Sequence, residues 1–273
     1  MLSSSPKNRL FIAFLILSSY FLSILSFGAD SPRDNQAIKS VKNKKIFKNL
    51  RNDDCSTYYI NRIGCNEDNS LCIQTHWEWT SYDPVLLRSI DGGKTYTPTR
   101  VHNVTSEYGR ITNVSCTGPA NTATCLASGS IPAKDSISAI PILLKSEDGG
   151  QNWYDEHFLD QSIDVRLFAT GCFGTKPNMI CLTGGTIYMD AKSFNQAFLA
   201  YKLPNEKSWG YVIYDLTPFM LGFACIHHFN SEGEGDAKTY TAQGTIFSGS
   251  GWDSETSFQL ISVDGAKTWK LDF

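Results

Sequence analysis

Three copies of one eight-residue turn, a period near 58 residues and cysteines spaced at that same period predict an all-β fold. The arrangement expected is a four-bladed β-propeller built from four-stranded antiparallel blades. The turns are Ser89-Ile90-Asp91-Gly92-Gly93-Lys94-Thr95-Tyr96, Ser146-Glu147-Asp148-Gly149-Gly150-Gln151-Asn152-Trp153 and Ser262-Val263-Asp264-Gly265-Ala266-Lys267-Thr268-Trp269. Asp91 and Asp148 are 57 residues apart, and Asp148 and Asp264 are 116 apart. One further repeat therefore belongs between the last two. It is found at Tyr201–Trp209, which keeps the terminal Trp and lacks the Asp-Gly.

Each repeat divides into four strand-like runs separated by turn residues. The innermost runs are Tyr58–Cys65, Ile111–Cys116, Arg166–Cys172 and Phe219–Cys225. The second runs are Leu71–Trp77, Ala123–Ser128, Met179–Gly184 and Thr239–Gly244. The third are Pro84–Ser89, Ile140–Ser146, Gln196–Lys202 and Phe258–Val263. The outermost are Thr95–Val101, Asn152–Phe158, Ser208–Asp215 and Thr268–Phe273. Local disulfides Cys65–Cys72, Cys116–Cys125 and Cys172–Cys181 follow from the spacing. In the fourth repeat Tyr240 takes the place of the second Cys, so Cys225 lacks a local partner. By elimination it pairs with Cys55, which would close the ring covalently.

The repeated Ser-x-Asp-Gly-(Gly/Ala)-x-(Thr/Asn)-aromatic pattern resembles the Asp-box, or BNR repeat, of sialidases and other β-propellers. The resemblance covers only the boxes. It implies a propeller in which Asp91, Asp148 and Asp264 form turns and Trp153, Trp209 and Trp269 plug the core. Sialidases use three arginines, a Tyr–Glu nucleophile pair and an acid Asp on six blades. No Arg-Ile-Pro motif is present here; Asn61-Arg62-Ile63-Gly64 is the nearest, and Arg62 is out of register with Arg110 and Arg166. A fold does not carry an activity with it.

Residues 1–28 read as a signal peptide: Lys7 and Arg9 precede an apolar run at 10–27 with small residues at its end. The run is near the length that spans a bilayer, so a retained anchor is the alternative. Residues 29–53 read as a polar, basic linker and 54–273 as the propeller. Export to a secreted, periplasmic or cell-surface location follows, which suits eight cysteines held as disulfides. A net charge of −3 gives no electrostatic footprint for nucleic acid. The cysteine spacing is wrong for a metal, and no motif calls for a cofactor. His227-His228 followed by Glu232, Glu234 and Asp236 is expected in a solvated, Gly-rich loop.

The boxes and disulfide hairpins share one end of the blades, which reads as structural. The irregular loops share the other, where binding usually resides. That end is expected to gather Trp77, Glu78, Arg110, Arg166, Tyr188, Trp252 and Asp253 as ligand-binding candidates. Aromatic faces beside carboxylates and guanidinium groups suit a polar ligand such as a sugar. Three functions are open: a binding or scaffold module for a glycan or protein surface, a glycan-active hydrolase using Glu78 with Asp253 or Glu255, and a membrane-tethered assembly factor if 10–27 stay in place. The sequence favours the first and leans away from catalysis.

Overall fold

The computed structural model describes residues 62–76, 85–102, 109–132, 139–159, 163–188, 195–214, 216, 222–234, 238–248 and 254–273. Every element among them is a strand. They run β1 Ile63–Cys65, β2 Cys72–His76, β3 Val85–Ser89, β4 Thr97–Pro98, β5 Arg100–His102, β6 Arg110–Thr117, β7 Thr124–Pro132, β8 Ala139–Ser146 and β9 Asn152–Asp155. Then follow β10 Asp164–Phe173, β11 Ile180–Tyr188, β12 Gln196–Lys202, β13 Gly210–Tyr214, β14 Gly222–Glu232, β15 Thr239–Ser248, β16 Ser254–Ser262 and β17 Lys270–Asp272.

Among the described residues these form four sheets in chain order, β1-β2-β3-β4, β6-β7-β8-β9, β10-β11-β12-β13 and β14-β15-β16-β17, with β5 added beyond β9. Neighbouring strands in each sequential set are antiparallel, as hairpin connections require. The first strands pack side by side, β1 on β6, β6 on β10 and β10 on β14. The sheets are therefore blade-like, with β1, β6, β10 and β14 innermost.

The core lies between successive sheets. Leu71, Ile73 and Leu86 of the first meet Leu144 and Trp153 of the second. Leu126 and Leu143 of the second meet Leu167, Phe198 and Ala200 of the third. Leu182 and Leu199 of the third meet Ile226, Phe258 and Trp269 of the fourth. A sheet sandwiched on both faces needs apolar or small residues throughout, which is why β11 is buried along nearly its whole length.

The outer run of the first repeat does not stay in one sheet. Thr97 and Pro98 pair with β3, and Pro98 has no N–H to extend the ladder. The chain then crosses to the second sheet, where β5 runs parallel to β9, Arg100 opposite Asn152 and His102 opposite Tyr154. The His102 ring stacks on Tyr154 at 4.8 Å.

Three of the turns share one hydrogen-bond pattern. In the second, Ser146 Oγ donates to Asp148 Oδ1 (2.7 Å), the same oxygen accepts the Gln151 and Asn152 N–H groups (3.0 Å each), and Gly150 N donates to Ser146 Oγ (2.9 Å). Asp91 and Asp264 are bound in the same way, with a Thr hydroxyl on Oδ2 at 2.6 Å. Two successive residues take positive φ, Gly149 and Gly150 at 67° and 78°, Gly265 and Ala266 at 74° and 64°. Glycine suits this; Ala266 tolerates it because the Ser-Asp network over-determines the turn. The Thr268 hydroxyl and N–H outweigh desolvation and, with the Ser262 hydroxyl and the Lys267 N–H, hold the Asp264 carboxyl down at about 2.

Cys65–Cys72, Cys116–Cys125 and Cys172–Cys181 are bonded, each pair directly opposed across the first hairpin with Cα atoms 4.1 Å apart. Cys225 is also disulfide-bonded. Its expected partner, Cys55, lies outside the described residues.

The fourth innermost strand requires a correction. Each of β6, β10 and β14 carries a bulge, at Thr112, Phe168 and His227. Aligned on the bulge, Cys116 and Cys172 correspond to Ser231, which faces Tyr240. Cys225 stands six residues earlier and corresponds to Arg110 and Arg166. The strand is Gly222–Glu232 rather than Phe219–Cys225, and His227 and His228 lie within it, not in a loop.

The bulge has a partner. Gly129, Gly185 and Gly244 sit opposite it on the second strand of each sheet. A Cβ at Gly129 or Gly185 would lie 1.8 or 1.9 Å from the carbonyl oxygen of Arg110 or Arg166, and one at Gly244 would lie 2.6 Å from that of Cys225. Only glycine admits this approach.

Two outcomes are expected from these contacts. Asp148→Ala strands the turn N–H groups and costs about 1–3 kcal/mol in a denaturant melt. Gly185→Ala forces the two strands apart and costs about 1–3 kcal/mol by the same measurement; a variant as stable as the parent would refute the close approach.

Candidate functional site

Three of the seven expected ligand-binding residues are among the described ones, at the end of the sheets opposite the turns. Trp77, Glu78, Trp252 and Asp253 lie outside the described residues. Arg110, Arg166 and Tyr188 lie within them. Arg110 opens β6 opposite Ser130, and Arg166 pairs with Thr186 in β10. Both stand two residues before the bulge, so they occupy the same height on neighbouring innermost strands. Arg62 does not join them, because it lies three residues before Cys65 while they lie six before theirs.

Tyr188 ends β11, and its ring lies under the Arg166 guanidinium, 4.9 Å from the centroid. A planar cation on an aromatic face holds its orientation and keeps its edge for hydrogen bonding. Asp164, two residues before Arg166, receives the Ala139 N–H from the second sheet at 2.8 Å. The third equivalent position holds Cys225 in place of an arginine. Around it Phe223 and Phe247 pack with Phe168 from the third sheet, giving that sector an apolar wall. Glu255, on β16, is exposed. This end can offer guanidinium donors, an aromatic face and carboxylates to a polar ligand.

The turn end holds a second feature that the sequence reading passed over. A cavity of about 130 Å³ lies between the second and third sheets, lined by Lys145, Glu156, Lys176, Met179, Lys202 and Trp209 among others. Trp209 is the aromatic of the repeat without Asp-Gly. The Trp153 and Trp269 indoles donate back to their own turns, at Gly150 O and Ala266 O (3.1 Å each), and are buried. Trp209 is only partly buried, and its indole donates instead to Glu156 of the preceding sheet at 3.1 Å. The expectation of a full core plug holds for the first two and not for Trp209.

Glu156 sits at the junction. Lys202 Nζ lies 2.7 Å from one oxygen and Lys145 Nζ 3.7 Å from the other. Glu147 in turn joins Lys145 at 2.9 Å and Lys176 at 3.1 Å. Burial pushes the Glu156 carboxyl up, but the Lys202 and Trp209 hydrogen bonds and the two lysine charges outweigh it, and the net displacement is downward. Burial likewise disfavours the Lys145 ammonium, and its two glutamates overcome this and raise it.

No family model matches the chain, and no curated protein is similar to it in sequence. Solved structures do resemble its fold. One is the E242A mutant of the α-L-arabinofuranosidase Arb93A from Fusarium graminearum with an iminosugar inhibitor: TM-score 0.50, 14% identity, 78% of this chain and 65% of that one. Another is the GH93 α-L-arabinofuranosidase of Fusarium graminearum with arabinobiose: TM-score 0.50, 14% identity, 79% of this chain and 67% of that one. The chain thus spans just under two thirds of the first enzyme's length. Both neighbours are glycan-active propeller hydrolases, and the likeness establishes a propeller-like fold.

The Glu156 junction has a pH signature. Its carboxyl lies below the ordinary 4.5 in the folded protein. Its stabilisation is therefore complete above about 4.5 and is lost as pH falls through the lower folded value. Glu156→Gln is expected to be less stable at pH 7 and to lose stability less steeply than the parent between pH 5 and 3. Parallel stability–pH curves would show that the junction contributes nothing.

Proposed function

We propose that this chain is an exported four-bladed Asp-box propeller that acts on a glycan as a hydrolase, at the end of the ring marked by Arg110 and Arg166. The observation that carries the reading is their equal register on adjacent innermost strands, with Tyr188 beneath Arg166. Two guanidinium groups at one height direct hydrogen bonds toward a common ligand. An aromatic ring at the same rim supplies the flat contact that a sugar needs. The fold likeness to glycan-active hydrolases favours this over a binding module.

In this reading the reacting carboxylates come from Glu78, Asp253 and Glu255. Two of them flank the bond, about 5–5.5 Å apart for retention or about 6.5–9.5 Å for inversion. One protonates the leaving oxygen, and the other attacks the sugar or activates water. The arginines bind and orient the sugar. The disulfides fit the oxidising compartment that export provides.

The test is hydrolysis of a panel of neutral and acidic oligosaccharides, arabino-oligosaccharides included, by the purified protein. Release of reducing sugar is expected. Arg166→Ala should lower kcat/KM by at least about tenfold, a loss of roughly 1.4 kcal/mol, with the melting temperature nearly unchanged. Binding without turnover across the panel would return the chain to the scaffold reading. Turnover unaffected by Arg166→Ala would place the site elsewhere.

A further inference from the structure

The cavity between the second and third sheets is far from the arginine end, and it coincides with the one repeat that lacks the Ser-Asp-Gly turn. We infer that it is a second binding site, for the anionic group of an acidic sugar residue. The inference is independent of the hydrolase reading, since it rests on other residues at the other end of the sheets.

The third repeat departs from the pattern of the others. At the other turns a Ser-Asp pair organises the loop, and in the second and fourth repeats the Trp that follows is buried in the core. In the third the loop runs through Leu203, Pro204, Asn205 and Glu206, with Asn205 at φ 65°. The same loop lines the cavity, and Trp209 turns its indole N–H outward to Glu156. What the repeat lacks in turn hydrogen bonds appears as a concave surface with an aromatic wall.

Lys202, Lys145 and Lys176 are strung together by only two carboxylates, Glu156 and Glu147. Each ammonium has three N–H donors. The inner wall is therefore rich in donors, with three ammonium groups sharing two carboxylates. Glu206 also lines the cavity but is exposed, where water screens its charge. Lys176 is half exposed and reaches the site from the first hairpin of the third sheet, and Lys202 reaches it from β12.

Met179, Pro177, Leu203 and the Trp209 ring line the same space. An apolar wall beside a donor-rich, cationic one matches a sugar ring bearing a carboxylate or sulfate. A volume of about 130 Å³ admits a single ring. The ring would lie against Trp209, with its anionic group between Lys176 and Lys202.

The test uses the whole purified protein and three probes: trigalacturonate, a sulfated disaccharide and neutral arabinotriose. Binding is read by calorimetry and ligand-detected NMR. At least one acidic probe is expected to bind, and raised salt to weaken it. Lys176→Gln, at a half-exposed position, and Lys202→Gln, which keeps a donor for Glu156, should each weaken that binding about tenfold. Hydrolysis at the arginine end should be unchanged in Lys176→Gln, and Arg166→Ala should leave this binding intact. Binding of only the carboxylate or only the sulfate probe identifies the anionic group and supports the inference. Failure of both acidic probes, equal binding of arabinotriose with the same lysine dependence, or acidic binding lost in Arg166→Ala and not in the lysine variants would each overturn it.

Discussion

The approach of a glycine to the carbonyl of the innermost strand sets the register of the second, third and fourth sheets. At Gly129, Gly185 and Gly244 there is no room for a Cβ, so the two backbones close in and the opposing strand bulges. A bulge re-aims side chains, and here it sends them to the next sheet. Thr112 donates its hydroxyl to Leu167 O at 2.6 Å, and Phe168 packs among Phe223, Cys225 and Phe247. The same contact fixes the height of the residue two positions earlier, which is why Arg110, Arg166 and Cys225 are equivalent. Two of these equivalent positions hold arginines, and the third holds a disulfide-bonded cysteine.

The turns show how a repeat frees itself for another task. A Ser-x-Asp-Gly turn is self-contained, because its carboxylate satisfies the local N–H groups, and in the second and fourth repeats its Trp is committed to the core. Where the pair is missing, stability comes from across the sheet boundary, through Glu156, Lys202 and Trp209. Side chains that hold two sheets together also line the space between them.

Much of this was legible in the sequence. Turn repeats and local cysteine pairs gave the sheets, because Asp-Gly and hairpin disulfides depend on short-range geometry alone. Counting from Cys116 and Cys172 puts Arg110 and Arg166 at one register, and the strand pairing does the same. The same counting misplaced Cys225, because it trusted residue type over backbone constraint. The glycines at 129, 185 and 244 carried the right alignment, and reading them as a bulge contact would have put Cys225 beside the arginines. The division of the first outer strand into β4 and β5 was not legible, since which sheet a strand edge joins is decided by tertiary packing. The lysine-lined cavity was missed for a related reason: Lys145, Lys176 and Lys202 are distant in sequence, and only the absence of Asp-Gly at the third turn hinted that something else occupied it.

The crossing of β5 to the second sheet has an effect on how the molecule behaves among copies of itself. A strand that ends a sheet offers a row of backbone donors and acceptors to any passing chain, and that is the usual seed of fibrillar association. On the second sheet β9 is covered by Arg100–His102, with the His102 ring laid over Tyr154, and the edge passes to this short strand. The third sheet ends on β13, with Tyr211 half exposed. Among the described residues the second sheet thus ends on a three-residue strand and the third on a five-residue one, so the longer edge of β13 is where a charge on the outer strand would do more to keep the protein in solution.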